Sequence, residues 1–124
     1  MSSHLKESAR MKNYRDITQS ISTGIKEWRA DQPEVQAAFH TLGKVATTEG
    51  ALDAKTKELI ALALGVAARC DGCLGFHTQA LAKLGATRQE VAETLSVAVY
   101  MGGGPSLMYA ADAMTAFLQA TDNA

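Results

Sequence analysis

The 124-residue sequence has no apolar run near the ~18 residues that a membrane-spanning helix requires, so no such span is expected. Its first residues, Met1 to Met11, are polar and mixed in charge and lack the apolar core of a signal peptide. Charge of one sign is also missing: twelve lysines and arginines face thirteen aspartates and glutamates, for a net −1. Without a basic stripe, electrostatics give nucleic-acid binding no support. No alternating strand pattern, internal repeat or interdomain linker is visible. Cysteine is scarce, with two residues in all, too few for the disulfide framework of a small secreted domain. These absences leave a single domain, neither membrane nor nucleic-acid binding, with the cytoplasm as the default compartment. There, a lone CxxC reads as redox-active or metal-binding rather than as a staple.

Helix-forming pattern is plentiful. Apolar residues make up 47%, mostly alanine and leucine. Residues 1–11 show no apolar face and are expected to be flexible; 12–120 form the domain; 121–124 should fray. Tyr14, Ile17, Ile21, Ile25 and Trp28 recur at helical spacing. After a break at Asp31-Gln32, Pro33 suits a first helical turn, and Val35, Phe39, Leu42 and Val45 mark a second amphipathic helix. Asp53 is the expected N-cap of a third, whose Leu59 to Ala68 stretch is apolar all round and so should be buried on most sides. A fourth helix is expected from about Cys73 to Leu84, stopped by Gly85. Thr87-Arg88-Gln89-Glu90 is a capping box for a fifth, burying Val91, Leu95, Ala98 and Val99. Gly102-Gly103-Gly104-Pro105 breaks the chain, and Ser106 opens a sixth. The fold class is all-α, a bundle of about six helices.

The chemistry concentrates in Cys70-Asp71-Gly72-Cys73-Leu74-Gly75-Phe76-His77. His77 follows Cys73 by four residues, so imidazole and thiol share a helix face. A neighbouring imidazole and a helix N-terminus both favour the reactive thiolate. Glu58 is a carboxylate leading into an apolar helix, twelve positions before Cys70, or about 18 Å along a straight helix. It reaches His77 only if the third and fourth helices are antiparallel about a turn near 67–71. Plainer readings compete. The cysteines could be inert buried hydrophobes. C-x-x-C-x-x-x-H offers three zinc ligands, but the other histidines, His4 and His40, are distant in sequence and no second CxxC exists. Glu58 alone could be a solvated first-turn residue, and Asp71 a turn or cap residue. The glycine segment after Tyr100 follows a helix and lacks GK[ST], so it reads as a turn rather than a phosphate loop. His40 reads as a helix-surface residue, and Met101, Met108 and Met114 as core or interface filler.

Glu58, Cys70-Asp71-Gly72-Cys73 and His77 together reproduce the E–CxxC–xxx–H pattern, and residues 33 to 118 resemble the alkylhydroperoxidase D-like proteins of the carboxymuconolactone decarboxylase superfamily. The resemblance implies an all-helical fold, a homotrimer or homohexamer, no cofactor and no metal. It also implies peroxide reduction or disulfide exchange through the two cysteines, on a small hydroperoxide or disulfide, with a lipoyl or thioredoxin-like reductant. In that scheme Glu58 orients His77, His77 takes the proton of Cys73, Cys73 attacks and Cys70 resolves. The sequence departs at Gly72, where peroxidase-type members carry a histidine, which weakens the case for fast alkylhydroperoxide turnover. A non-catalytic redox-sensing oligomer and a decarboxylase-type lactone enzyme are the other functions considered; the latter chemistry does not rest on a CxxC. The thiols are expected at the bottom of a small apolar pocket.

Overall fold

The computed structural model describes residues 12–121; the expected loose segment 1–11 and the expected frayed end beyond Thr121 lie outside the described residues. Six helices follow one another, and no strand occurs among the described residues: α1 Tyr14–Asp31, α2 Pro33–Ala46, α3 Ala54–Ala67, α4 Asp71–Lys83, α5 Arg88–Gly102 and α6 Gly104–Thr121. The starts follow capping chemistry. Asn13 and Asp53 accept from the backbone N–H three residues on, at 3.0 and 2.7 Å, as does Thr87 of the capping box, at 3.1 Å. Glu90 closes that box by accepting from the Thr87 N–H at 2.8 Å. Two starts differ from expectation. α4 begins at Asp71 rather than Cys73, and α6 at Gly104 rather than Ser106, because Cys70 and Gly103 already provide the non-helical residue that precedes a first turn.

The core lies among α3, α4, α5 and α6. Leu62, Val66, Leu74, Leu81, Val91 and Ala113 are fully buried, with Leu95, Ala98 and Phe117 close behind. Each buried leucine contributes roughly 1.5–3 kcal/mol by leaving water. Three residues connect α3 to α4, so the two run antiparallel. Lys55 and Glu90, both in first turns, form an ion pair at 2.7 Å, so α3 and α5 begin at the same end of the bundle.

α1 crosses this bundle and packs mainly on α4. Its N-terminus is held by α6: Tyr14 N donates to Gln119 Oε1 at 2.8 Å, Gln119 Nε2 to the Lys12 carbonyl at 2.8 Å, and Arg15 to the Gln119 carbonyl at 2.7 Å. α2 is the exception to the sequence pattern. Its stripe of Val35, Phe39, Leu42 and Val45 is not part of the core; the helix buries no residue, and Phe39 is 68% exposed. The stripe has the right period, but within one chain α2 packs only against α1. α3 departs similarly. Leu62, Gly65 and Val66 face inward, whereas Leu64 is 64% exposed, so the all-round apolar run is buried on one side only.

Candidate active site

The turn that carries the cysteines begins at the end of α3. Cys70 N donates to the Gly65 carbonyl at 3.0 Å and Arg69 N to the Val66 carbonyl at 3.1 Å. This paired arrangement ends a helix with one left-handed residue, and here that residue is Arg69, at φ 57°. The same arrangement closes α4, with Gly85 at φ 76°. Glycine adopts that conformation freely, whereas arginine pays for it in steric strain of about 1–2 kcal/mol. Cys70 therefore leaves α3 and caps α4 in a single residue: its Sγ accepts from the Cys73 N–H at 3.1 Å. A thiolate there would face the positive end of the α4 dipole.

Cys70 and Cys73 are joined as a disulfide, with their Cα atoms 5.2 Å apart. One turn further along α4, His77 Nδ1 donates to Glu58 Oε2 at 2.6 Å across from α3. The antiparallel reversal that the sequence argument required is present, and it brings together residues nineteen apart in the chain. With Nδ1 engaged, Nε2 is the ring atom left to take or give a proton. The Glu58 side chain is only 13% exposed, so water competes weakly for its contact with the imidazole.

Two glycines, whose packing role is not legible in the sequence, shape this corner. A Cβ at Gly65 would lie 2.9 Å from the Cys73 Cβ, so Cys73 reaches its place only because α3 has no side chain there. A Cβ at Gly72 would lie 2.6 Å from Ile21 Cδ1, so α1 rests directly on the residue between the thiols. The signal available in the sequence was glycine inside helical pattern, which marks close approach of another element without naming it. Asp71 is neither the turn nor the cap residue expected: Cys70 caps the helix, and Asp71 is its first residue. With Asp112 it receives Lys12 Nζ, at 3.3 and 2.9 Å, and the Asp112 hydrogen bond holds that ammonium above the ordinary lysine range.

A cavity of about 660 Å³ opens between α2 and the α3–α4 face, with Glu58, His77, Phe76 and Ala80 on one side and Phe39, His40, Gly43 and Lys44 on the other. It is lined by the Glu–His pair and not by the thiols. The expected small pocket with the cysteines at its base is thus displaced by one helical turn, because Ile21 and α3 flank the cysteine stretch itself. Among the described residues, no three histidine, cysteine, aspartate or glutamate side chains converge as a ligand set for a metal.

Comparison with known proteins gives consistent matches. The model of the carboxymuconolactone decarboxylase family matches residues 33–116. An uncharacterized protein of Cupriavidus necator is 46% identical over 86 residues, spanning 69% of this chain and 76% of the relative. An uncharacterized protein of the Paracoccus denitrificans cox locus is 36% identical over 80 residues, or 64% of this chain and 72% of the relative. Among solved structures, a carboxymuconolactone decarboxylase family protein from Legionella pneumophila superposes with a TM-score of 0.86 at 55% identity, covering 88% of this chain and 97% of that one. A family protein from Thermotoga maritima, for which a part in an antioxidative response has been suggested, gives a TM-score of 0.72 at 26% identity, covering 81% and 86%.

Proposed function

Because the chain belongs to the carboxymuconolactone decarboxylase family and carries a cysteine pair beside a carboxylate-held imidazole, we propose that it is a cysteine-based peroxidase or disulfide oxidoreductase. The observation that carries this reading is the 2.6 Å contact of His77 Nδ1 with Glu58, one helical turn from Cys73. It leaves the imidazole oriented, with one free nitrogen for a thiol proton. In the reduced protein, His77 takes the Cys73 proton. The thiolate attacks the terminal oxygen of a hydroperoxide, the O–O bond breaks, and the departing alkoxide leaves as alcohol with the proton from His77. Cys73 is then a sulfenic acid. The Cys70 thiol attacks its sulfur, water departs, and the disulfide forms. A lipoyl or thioredoxin-like dithiol restores both thiols by exchange.

The antioxidative role suggested for the Thermotoga maritima relative agrees with this chemistry. Lactone decarboxylation would leave the thiol pair without a task. No described helix is long and apolar enough to cross a membrane, in keeping with a cytoplasmic place of action. The protein works in this reading as a homotrimer or homohexamer, with the exposed α2 stripe as one contact face.

The test is thiol titration against cumene hydroperoxide, followed by rereduction with dihydrolipoamide. Cys73→Ser should abolish turnover, and Cys70→Ser should trap a sulfenic acid on Cys73 that dimedone labels. Label on Cys70 in the reciprocal variant would exchange attacker and resolver. Slow oxidation coupled to a change in oligomer mass would favour a redox sensor instead.

A further inference from the structure

We propose that the cavity between α2 and the α3–α4 face is a binding site for an apolar organic carboxylate, with the carboxylate on Lys44 and the apolar body between Phe39 and Phe76. The inference rests on the walls of that cavity and stands or falls apart from the peroxidase reading.

α2 is amphipathic, and the side it turns toward the cavity is the polar one. Gln36, His40, Gly43, Lys44 and Thr47 line the space, and their spacing puts them on one helical face. Val35, Leu42 and Val45 of the apolar stripe do not line it. The polar side of such a helix ordinarily faces water. Here it faces α3 and α4 across a space of about 660 Å³, within the roughly 300–1,000 Å³ of small-molecule sites. Both ends of α2 are held. Gln32 alone separates it from α1, and just past its other end the Thr48 carbonyl accepts from Lys57 Nζ of α3 at 2.7 Å. Between these ties α2 stands off from α3 and α4, since within one chain it packs only against α1. A Cβ built at Gly43 meets no atom within 4 Å, so the α2 wall is open at that point.

The lining carries one lysine and one glutamate, and only the glutamate has a partner. Glu58 accepts from His77 Nδ1 at 2.6 Å, whereas Lys44 forms no ion pair among the described residues. Lys44 is not needed as a helix cap either. The Gly43 and Lys44 carbonyls in the last turn of α2 accept from the Thr47 and Thr48 hydroxyls at 2.8 and 2.7 Å. An anion is therefore the charge that the α2 wall favours. An ammonium–carboxylate hydrogen bond is roughly twice as strong as a neutral one, and walls that exclude part of the water strengthen it. Phe39 and Phe76 stand on opposite walls, both exposed, so an apolar body between them covers two aromatic rings. A small inorganic anion would leave both rings bare, and an uncharged hydrocarbon would leave the lysine unmatched. An alkyl or aryl monocarboxylate meets both.

The experiment is isothermal titration of the whole chain, in its oxidised form, with 4-phenylbutyrate and with the uncharged 4-phenylbutyramide. Wild type should bind the acid about tenfold more tightly than the amide. Lys44→Gln should weaken the acid about tenfold and leave the amide within about twofold. Gly43→Leu places a side chain in the open space and should abolish binding of both. Because leucine replaces a glycine inside a helix, its melting temperature should hold or rise, which separates a filled cavity from a lost fold. Equal affinity for acid and amide in wild type would overturn the proposal, as would no binding of either at millimolar concentration. An acid affinity unchanged in Lys44→Gln, or binding untouched by Gly43→Leu, would place the ligand elsewhere and overturn it as well. A protein that binds the acid as expected but leaves hydroperoxide intact loses the peroxidase reading and keeps this site. One that reduces hydroperoxide but treats acid and amide alike keeps that reading and loses the site.

Discussion

Glu58 and His77 show how far single residues speak for themselves. Each was a candidate from its chemistry, and their contact depends on one reversal of the chain. If His77 serves Cys73 as base, the reduced protein's alkylation rate against pH should move to higher pH in His77→Ala. Glu58→Gln should move it less, because the neutral amide still accepts the Nδ1–H and holds the ring. Iodoacetamide kinetics from pH 5 to 9 would check this, and unchanged profiles in both variants would remove the relay. Gly65 and Gly72 speak only through their neighbours. Nothing in the local sequence says that Cys73 or Ile21 occupies the space a side chain would take.

At the scale of elements, the α3–α4 turn combines a helix end, a helix start and the first cysteine of the pair in three residues. Its left-handed residue is an arginine, so Arg69→Gly should stabilise the fold by up to about 1 kcal/mol, the relief of strain being partly offset by the freer unfolded chain. Urea unfolding would measure this, and a loss of stability would show that the arginine side chain has a compensating contact. The Lys55–Glu90 pair ties the starts of α3 and α5. Its hydrogen bond with Lys55, helped by the Thr87 cap, holds the Glu90 carboxyl below its ordinary 4.5. A carboxyl depressed in the folded state adds stability above its unfolded value, and that stability fades as pH falls through the folded one. The stability difference between wild type and Glu90→Gln should therefore be constant near neutrality and shrink below about pH 4.5. A difference that persists unchanged at pH 3 would mean that the ion pair adds nothing, as many exposed pairs do.

For the whole molecule, the outer surface carries the next consequence. Phe39, Leu42 and Val45 on α2, Leu64 on α3, and Tyr100 and Met101 on α5 are all more than 60% exposed, an unusual amount of large apolar surface for a 13.1 kDa chain. Assembly of identical chains would cover it. Light scattering at micromolar concentration should give a mass three or six times that of the chain, and Leu42→Asp should shift it downward. A monomer mass for the wild type would dismiss assembly.

The sequence by itself determined the six helices and most of their ends, because caps, periodicity and glycine stops act within a few residues of where they are written. It also determined the inward face of α5, and that Cys73 and His77 lie one turn apart on a single helix, since spacing alone puts them there. Tertiary structure alone decided where each apolar face goes. The α2 stripe and half of α3 have the period of buried surface, yet within one chain nothing packs on them. It also decided that α1 lies over the cysteine turn, that the groove opens beside His77 rather than at the thiols, and that an arginine takes the left-handed place. The physical reason is common to all of these: periodicity tells which side of a helix avoids water, but only the packing of distant elements says what replaces the water.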